Sequence, residues 1–191
     1  MQKLLSMLLA ACLLALGFGC APQHREDEFR SFLQAHVARV EPLAARASLV
    51  YWEAATTGKA EKFAELKELQ LQIRRIYSDA NDFARIKAFD KSRSVREPRL
   101  ARQLDKLYCA YLQNQIEPAL LAQIVELDTN IQQGYNNYRP TLDDRPITMS
   151  DIYTILTTEK DSAKRQAAWQ ASKQVGNIIS HDLLALVRLR N

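Results

Sequence analysis

The chain has 191 residues, of which 47% are apolar and 25% charged, and its formal net charge is +4. These fractions exclude a disordered tail, a collagen-like fibre and a disulfide-rich scaffold. Glycine and proline number only 5 and 6, which argues against a turn-rich β-sandwich and predicts an all-α fold, an array of many helices.

The first nineteen residues are typical of a secretory signal peptide. A basic start is followed by an almost unbroken apolar stretch over residues 4–16, and small residues then precede Cys20. Such a stretch is too short to span a membrane permanently. Small residues before a cysteine resemble a bacterial lipobox, in which the thiol is acylated, although Gly17 stands where leucine is usual. Plain cleavage without acylation is therefore the alternative.

These features predict an exported protein, periplasmic or at the cell surface. Residues 1–19 would be a signal peptide of the lipoprotein type, Cys20 the lipidation site that anchors the chain to a membrane, and residues 20–26 a tether. Cys109 would then be the one unmodified cysteine of the mature chain, so no internal disulfide is expected. We interpret Cys109 as a small buried apolar residue rather than a reactive thiol.

Apolar residues at three- and four-residue spacing predict a succession of helices through residues 27–191. The first runs from near Glu26 to Ala55, and Pro42 is expected to kink or divide it. Gly134 and Gly176 are expected to end later helices. The predicted helices after the first cover approximately 60–77, 80–89, 98–113, 117–133, 151–157, 161–175 and 177–191. Between them, residues 135–149 carry turn-forming Asn, Asp and Pro and predict one short hairpin or an irregular loop.

The histidines of the sequence are His24, His36 and His181, and none belongs to an H-E-x-x-H zinc motif. His36 lies on the apolar stripe of the first predicted helix, where a hydrogen-bonded structural histidine is expected. There is no G-x-S-x-G turn and no glycine-rich phosphate loop, and the basic residues are dispersed among acidic ones. The sequence therefore predicts no catalytic residue, no metal ligand and no nucleic-acid partner.

The most specific pattern runs from Asp161 as DSAKRQAAWQASKQVG and is followed by LLALVRLRN at the end of the sequence. It resembles the angiotensin-converting-enzyme-like peptidyl-dipeptidases, in which D-x3-R-x2-A-W-x-A-x-K-x-V-G precedes a helix ending in L-V-x-L-R-N. The candidate site residues within this family pattern, structural or lining a channel wall, are Arg165, Trp169, Lys173 and Gly176. Arg165 and Trp169 share a helix face, either as a wall of the substrate channel or as a packing surface on which Arg165 lies over the indole ring.

The resemblance implies a predominantly helical zinc metallopeptidase that removes dipeptides from peptide C-termini, with N-terminal helices over the mouth of a deep cleft. In that family the zinc motif and the residues that stabilise the transition state lie beyond the position matching Asn191. The expectation is thus an N-terminal lid and scaffold portion that is inactive alone and whose partner is a missing C-terminal catalytic half. This chain would bind no cofactor itself, whereas zinc and peptide substrate belong to the full-length enzyme. The last predicted helix is still apolar-periodic at Asn191, which favours a fragment.

Two other interpretations stay open. One is a lipid-anchored helical binding or scaffold lipoprotein that keeps the family scaffold without catalysis, and it predicts a monomer that melts cooperatively. The other is an enzyme that is active by itself. The fragment hypothesis instead predicts a large apolar patch where catalytic helices would dock, and partial folding or aggregation of the isolated chain.

Overall fold

Helices dominate the computed structural model, which describes residues 21–190. The helices are α1 (Ala21–Thr57), α2 (Ala60–Tyr77), α3 (Ala80–Ser92), α4 (Pro98–Leu112), α5 (Pro118–Asn137), α6 (Met149–Thr158), α7 (Ser162–Lys173) and α8 (Val175–Arg190). Strands β1 (Thr141–Leu142) and β2 (Arg145–Pro146) pair antiparallel, with Thr141 opposite Pro146. The predicted all-α array with one short hairpin within residues 135–149 is confirmed. Residues 1–20, which hold the predicted signal peptide and Cys20, lie outside the described residues.

Side-chain caps fix where several helices begin. The carboxylate of Asp79 accepts a hydrogen bond of 2.8 Å from the amide of Asp82 at the start of α3. Glu97 caps α4 in the same way, immediately before Pro98, whose missing amide hydrogen costs nothing in the first turn. Thr148 and Asp151 form a reciprocal capping box at α6. These short polar signals explain why the predicted starts of α3 and α4 match the observed ones.

The first helix differs from the prediction at its start and at Pro42. The helix is observed from Ala21, earlier than the predicted start near Glu26. It also continues through Pro42 without being divided. A proline removes one backbone donor, but helical stability depends chiefly on packing of the apolar face. Buried Phe32 and Val50 lie on either side of Pro42 and supply that packing.

Neither of the two glycines expected to end helices does so. Gly134 lies inside α5, where a β-carbon would come within 3.1 Å of Ile179 Cγ2 on α8. The missing side chain therefore permits the close packing of α5 and α8. Gly176 lies in the first turn of α8, where a β-carbon would meet nothing within 4 Å. The glycine that does end a helix is Gly58, whose φ of +70° follows the last turn of α1.

The chain divides into two compact units, which are described separately. Unit 1 comprises the residues up to Leu43 together with Ile73–Ile116. Its core is rich in aromatic rings, and Phe29 and Phe89 meet edge to face with their centroids 5.3 Å apart. The buried cluster consists of Phe29, Phe32, Phe83, Ile86, Phe89, Leu100, Leu104, Leu107 and Tyr111. Helices α3 and α4 pack against one another within this unit.

Unit 2 comprises Ala44–Gln72 and the residues from Glu117 onward. Its helices pack as two pairs, α5 with α8 and α6 with α7. Ion pairs lie on its surface, where Lys62 contacts both Glu53 and Glu65. The buried apolar residues of this unit are Ala47, Val50, Ala54, Phe63, Leu66, Leu71, Leu121, Ile124, Val125, Ile152, Ala168 and Leu186. Within residues 21–190, none of the helices is long and apolar enough to cross a membrane.

Candidate functional site

The residues that match the family pattern lie on two consecutive helices of unit 2. Arg165, Trp169 and Lys173 are on α7, and Gly176 is in the first turn of α8. Two local hydrogen bonds stabilise α7, and a third joins it to the segment that follows α5. The Asp161 carboxylate accepts a hydrogen bond from the Ala163 amide, the Ser172 hydroxyl donates to the carbonyl of Trp169, and the Tyr138 hydroxyl donates to the carbonyl of Ala171. The pattern therefore lies on an anchored helix rather than on a loop.

The cation over the indole ring of Trp169 is Lys173 and not Arg165. Lys173 Nζ lies 5.5 Å from the ring centroid, whereas the Arg165 side chain is exposed. The direction of helical side chains explains this correction, because they lean towards the N-terminus and so carry Lys173 back over Trp169. Trp169 itself is 52% exposed. It is thus available as a contact surface, as both interpretations of the pattern require.

One side of α8 carries large apolar residues that remain about half exposed. Leu183, Leu184 and Val187 are 45%, 56% and 48% exposed, and their spacing of three and four residues places them on one face. Leu186, three residues after Leu183, is turned towards the interior of the unit and is only 4% exposed. We call Leu183, Leu184 and Val187 the α8 apolar face. Contiguous exposed apolar residues of this kind mark contact surfaces in soluble proteins.

Unit 1 contains a buried polar network around His36. Its Nδ1 lies 3.0 Å from the hydroxyl oxygen of Tyr111, and that hydroxyl is 3.4 Å from Oδ2 of Asp82. Arg39 donates to the same carboxylate oxygen at 2.5 Å, and the Tyr77 ring meets the imidazole edge to face. The prediction that His36 is a hydrogen-bonded structural histidine is confirmed. Its partners are far away in the sequence, so no local signal could have found them.

Burial controls the ionisation of this network. Desolvation lowers the pKa of His36, the charge of Arg39 lowers it further, and the carboxylate of Asp82 acts in the opposite direction. Desolvation also raises the pKa of Tyr111, to which the nearby Asp82 charge adds. The network is therefore held as a neutral imidazole and a neutral phenol beside one Arg–Asp ion pair. This arrangement stabilises the core of unit 1.

The remaining candidates do not converge on a reaction centre. His24 and His181 are exposed and lie in different units. In the part of the chain that the structure describes, no group of three His, Cys, Asp or Glu side chains could hold a metal ion. Cys109 is exposed rather than buried, so its interpretation as a core residue is wrong. Its position on α4 lies between the buried Leu107 and Tyr111 and points outward.

A family model described as angiotensin-converting enzyme matches residues 23–191, which is nearly the whole described chain. The chain therefore belongs to this family of peptidases. No curated protein and no solved structure matches the chain. Together with the helical fold, the family match confirms the resemblance that the segment around Trp169 indicates.

Proposed function

We propose that this chain is the N-terminal lid and scaffold region of an exported zinc-dependent peptidyl-dipeptidase, an enzyme that releases dipeptides from the C-termini of peptides. The observation that carries the proposal is the family match over residues 23–191. The zinc motif of such an enzyme has no counterpart in this sequence. The proposed partner is therefore a catalytic half that carries the zinc ligands, and the peptide substrate binds only to the assembled enzyme.

The proposed docking surface is the α8 apolar face. Its three side chains are each about half exposed. Their complete burial under a partner would contribute on the order of 1 kcal/mol each, because a large apolar side chain contributes about 1.5–3 kcal/mol when fully buried. Trp169 on the preceding helix adds a large exposed aromatic ring in the same segment of the chain. These residues supply the kind of apolar anchor that dominates protein interfaces.

Binding to a catalytic segment tests this assignment. The purified chain is titrated with a segment of a family member that follows the position matching Asn191 and carries H-E-x-x-H. The variant L184E/V187E places two carboxylates on the α8 apolar face and is expected to weaken binding at least about tenfold. The matched control is L49E, which introduces the same side chain at a leucine on α1 that is 62% exposed.

Equal affinity of L184E/V187E and L49E would contradict docking through α8. Absence of any binding by the unchanged chain would contradict the lid proposal as a whole. Circular dichroism of each variant checks that the helices are retained. All three substituted positions are exposed, so folding should be little affected.

Export and anchoring form a separate part of the proposal. Cys20 follows an apolar segment and would carry the lipid that holds the protein at the membrane surface. Labelling cells with a radioactive fatty acid should mark the protein, and C20A should abolish the label and release the chain from the membrane fraction. The matched control is C109A. Cys109 lies on a helix far from Cys20 in the sequence, so this substitution should leave labelling unchanged. Equal labelling of C20A and the unchanged chain would contradict acylation at this position.

A lipid-anchored helical binding protein without catalytic activity is the second candidate. It is favoured by the interior of the described residues, where no buried side-chain nitrogen or oxygen lacks a hydrogen-bond partner. Such satisfied interiors are typical of native structures, so the buried side-chain polar atoms of the described residues need no partner protein to complete their hydrogen bonds. A monomer that melts in one cooperative transition, and does not bind the catalytic segment, would support this candidate over the first.

A further inference from the structure

A groove of about 700 Å³ opens in unit 1 beside α1, the end of α2 and α4. Leu33, Val37 and Val40 of α1 line it at spacings of three and four residues. Tyr77 and Leu107 contribute further apolar surface. The volume lies within the range of about 300–1,000 Å³ that is typical of small-molecule sites, which are mostly apolar with a few polar groups. The groove contains none of the family-pattern residues and none of the residues of the α8 apolar face.

Three cations lie along one side of the groove. Arg99, Arg102 and Lys106 follow one another on α4 at spacings of three and four residues, so they share one face of the helix. All three are exposed, and within residues 21–190 none of them forms an ion pair with a carboxylate. Arg39, by contrast, is paired with Asp82. The groove therefore combines an apolar floor with unneutralised positive charge.

The charge is not spread evenly along the groove. Glu26 of α1 accepts hydrogen bonds from the amides of Arg96 and Glu97 just before α4, and His36 contacts Tyr111 near its end. The two helices therefore run past one another in the same direction. This arrangement places Arg99 and Arg102 towards one end of the groove, and Glu41, its one acidic lining residue, towards the other.

We propose that this groove binds a single-chain anionic amphiphile of the fatty-acid class. The carboxylate contacts Arg99 and Arg102, and the alkyl chain lies on Val37, Val40 and Leu107. The lining of α4 extends from Arg99 to Ala110, which corresponds to about 16 Å at 1.5 Å per residue and suits an extended chain. Guanidinium groups bind carboxylates through paired, charge-assisted hydrogen bonds.

A ligand with one charged head fits this polarity better than an acidic protein helix. An acidic helix laid along the groove would bring negative charges beside Glu41, where like charges repel. A fatty acid places its single charge at the arginine end and only methylene groups at the Glu41 end. The proposal is independent of the peptidase assignment, because it uses no residue of the family pattern.

The test is calorimetric titration of the full chain with sodium dodecanoate below its micelle concentration. We expect saturable binding with one site per chain. R99Q/R102Q should bind at least about tenfold more weakly, because it removes both guanidinium groups that form charge-assisted hydrogen bonds with the carboxylate. The matched control is R75Q/K91Q, which removes the same charge from exposed positions that do not line the groove. V37E should also abolish binding, because it places a carboxylate on the apolar floor.

Two further titrations separate the contributions of head and chain. Dodecanol, which has the same chain without the charge, and butyrate, which has the charge without the chain, should both bind more weakly than dodecanoate. The proposal is overturned if dodecanoate does not bind saturably, or if R99Q/R102Q and R75Q/K91Q lose affinity equally. A designed amphipathic helix with one leucine face and one glutamate face provides the last comparison. Saturable binding of that helix, under conditions in which dodecanoate does not bind, would also overturn the proposal.

Discussion

The imidazole Nδ1 of His36 on α1 lies 3.0 Å from the hydroxyl oxygen of Tyr111 on α4. Both side chains are almost completely buried, with exposed fractions of 3% and 0%. A hydrogen bond in this environment satisfies two groups that would otherwise be buried without partners. The pair therefore ties α1 to α4 inside unit 1 and makes the stability of that unit sensitive to the ionisation of His36.

Acidification from pH 7 to pH 5 is expected to lower the free energy of unfolding. Burial and the charge of Arg39 lower the pKa of His36 in the folded chain, so the unfolded chain binds a proton first as the pH falls below about 6.5. The contribution of His36 is therefore complete above that pH and is lost as the pH falls towards the folded pKa. The slope for this single group is at most about 1.4 kcal/mol per pH unit. Urea denaturation at a series of pH values measures it.

Substitution of His36 identifies the source of that pH dependence. H36Q removes the titrating group and should flatten the dependence between pH 7 and pH 5. H181Q is the matched control, because His181 is exposed and lies in unit 2. An unchanged slope in H36Q would show that other groups cause the dependence.

Loss of the Tyr111 hydroxyl should destabilise unit 1. Y111F keeps the buried ring but removes the hydrogen-bond partner of His36, at an expected cost of about 1–3 kcal/mol. Y153F, at a tyrosine that is 65% exposed, should change the free energy of unfolding by less than about 0.5 kcal/mol. Chemical denaturation at pH 7 compares the two variants. Equal effects at both positions would refute the role of the buried hydroxyl.

Alanine at two glycines should change stability in opposite directions. G58A is expected to destabilise by about 1–2 kcal/mol, because φ is +70° there and a β-carbon would come within 2.7 Å of Asn137 Oδ1. G176A is expected to stabilise by about 0.5–1 kcal/mol, because the position is helical and open. Melting temperatures of the two variants give the comparison. A destabilising G176A would contradict the conclusion that this helical position is open.

The thiol of Cys109 should react with a maleimide while the protein is folded. The residue is exposed on the surface of α4, and access is one of the factors that control thiol reactivity. Peptide mapping by mass spectrometry distinguishes Cys109 from the other cysteines. Protection of Cys109 until the chain is denatured would instead restore its interpretation as a core residue.

Local signals in the sequence were sufficient to predict most of the helices. The second helix was predicted at about residues 60–77 and is observed at Ala60–Tyr77. Pro98 correctly indicated the start of α4, because a proline in the first turn and the preceding Glu97 act within a few residues. When a helix boundary is set by residues within one turn of it, the sequence alone is sufficient to predict that boundary.

The predictions fail where tertiary packing determines whether a helix continues or which side chains are exposed. Pro42 and Gly134 would interrupt isolated helices, but buried side chains and the close approach of Ile179 keep both inside helices. The exposure of Cys109 depends on which side of α4 meets the core, and a broad apolar pattern leaves that side undefined. The contact of His36 with Tyr111 joins residues 75 positions apart, which no local pattern can indicate.

The family pattern around Trp169 predicted membership correctly but not the local geometry. Both Arg165 and Lys173 are four residues from the ring, so spacing alone could not distinguish them. Only the direction of side chains along α7 places Lys173 over the indole. The groove in unit 1 could not be predicted from the sequence either. It joins Arg99, Arg102 and Lys106 of α4 to apolar residues of α1 that are distant in the sequence.

The most direct measurement of the central claim is the release of a C-terminal dipeptide from a synthetic peptide. The purified chain, the zinc-bearing catalytic segment of a family member and their mixture are assayed side by side, with and without a chelator. We predict that the mixture releases the dipeptide far faster than either part, that a chelator abolishes this release, and that the chain alone is inactive. Chelator-sensitive release by the chain alone, or no gain in the mixture over the catalytic segment, would contradict a lid and scaffold role.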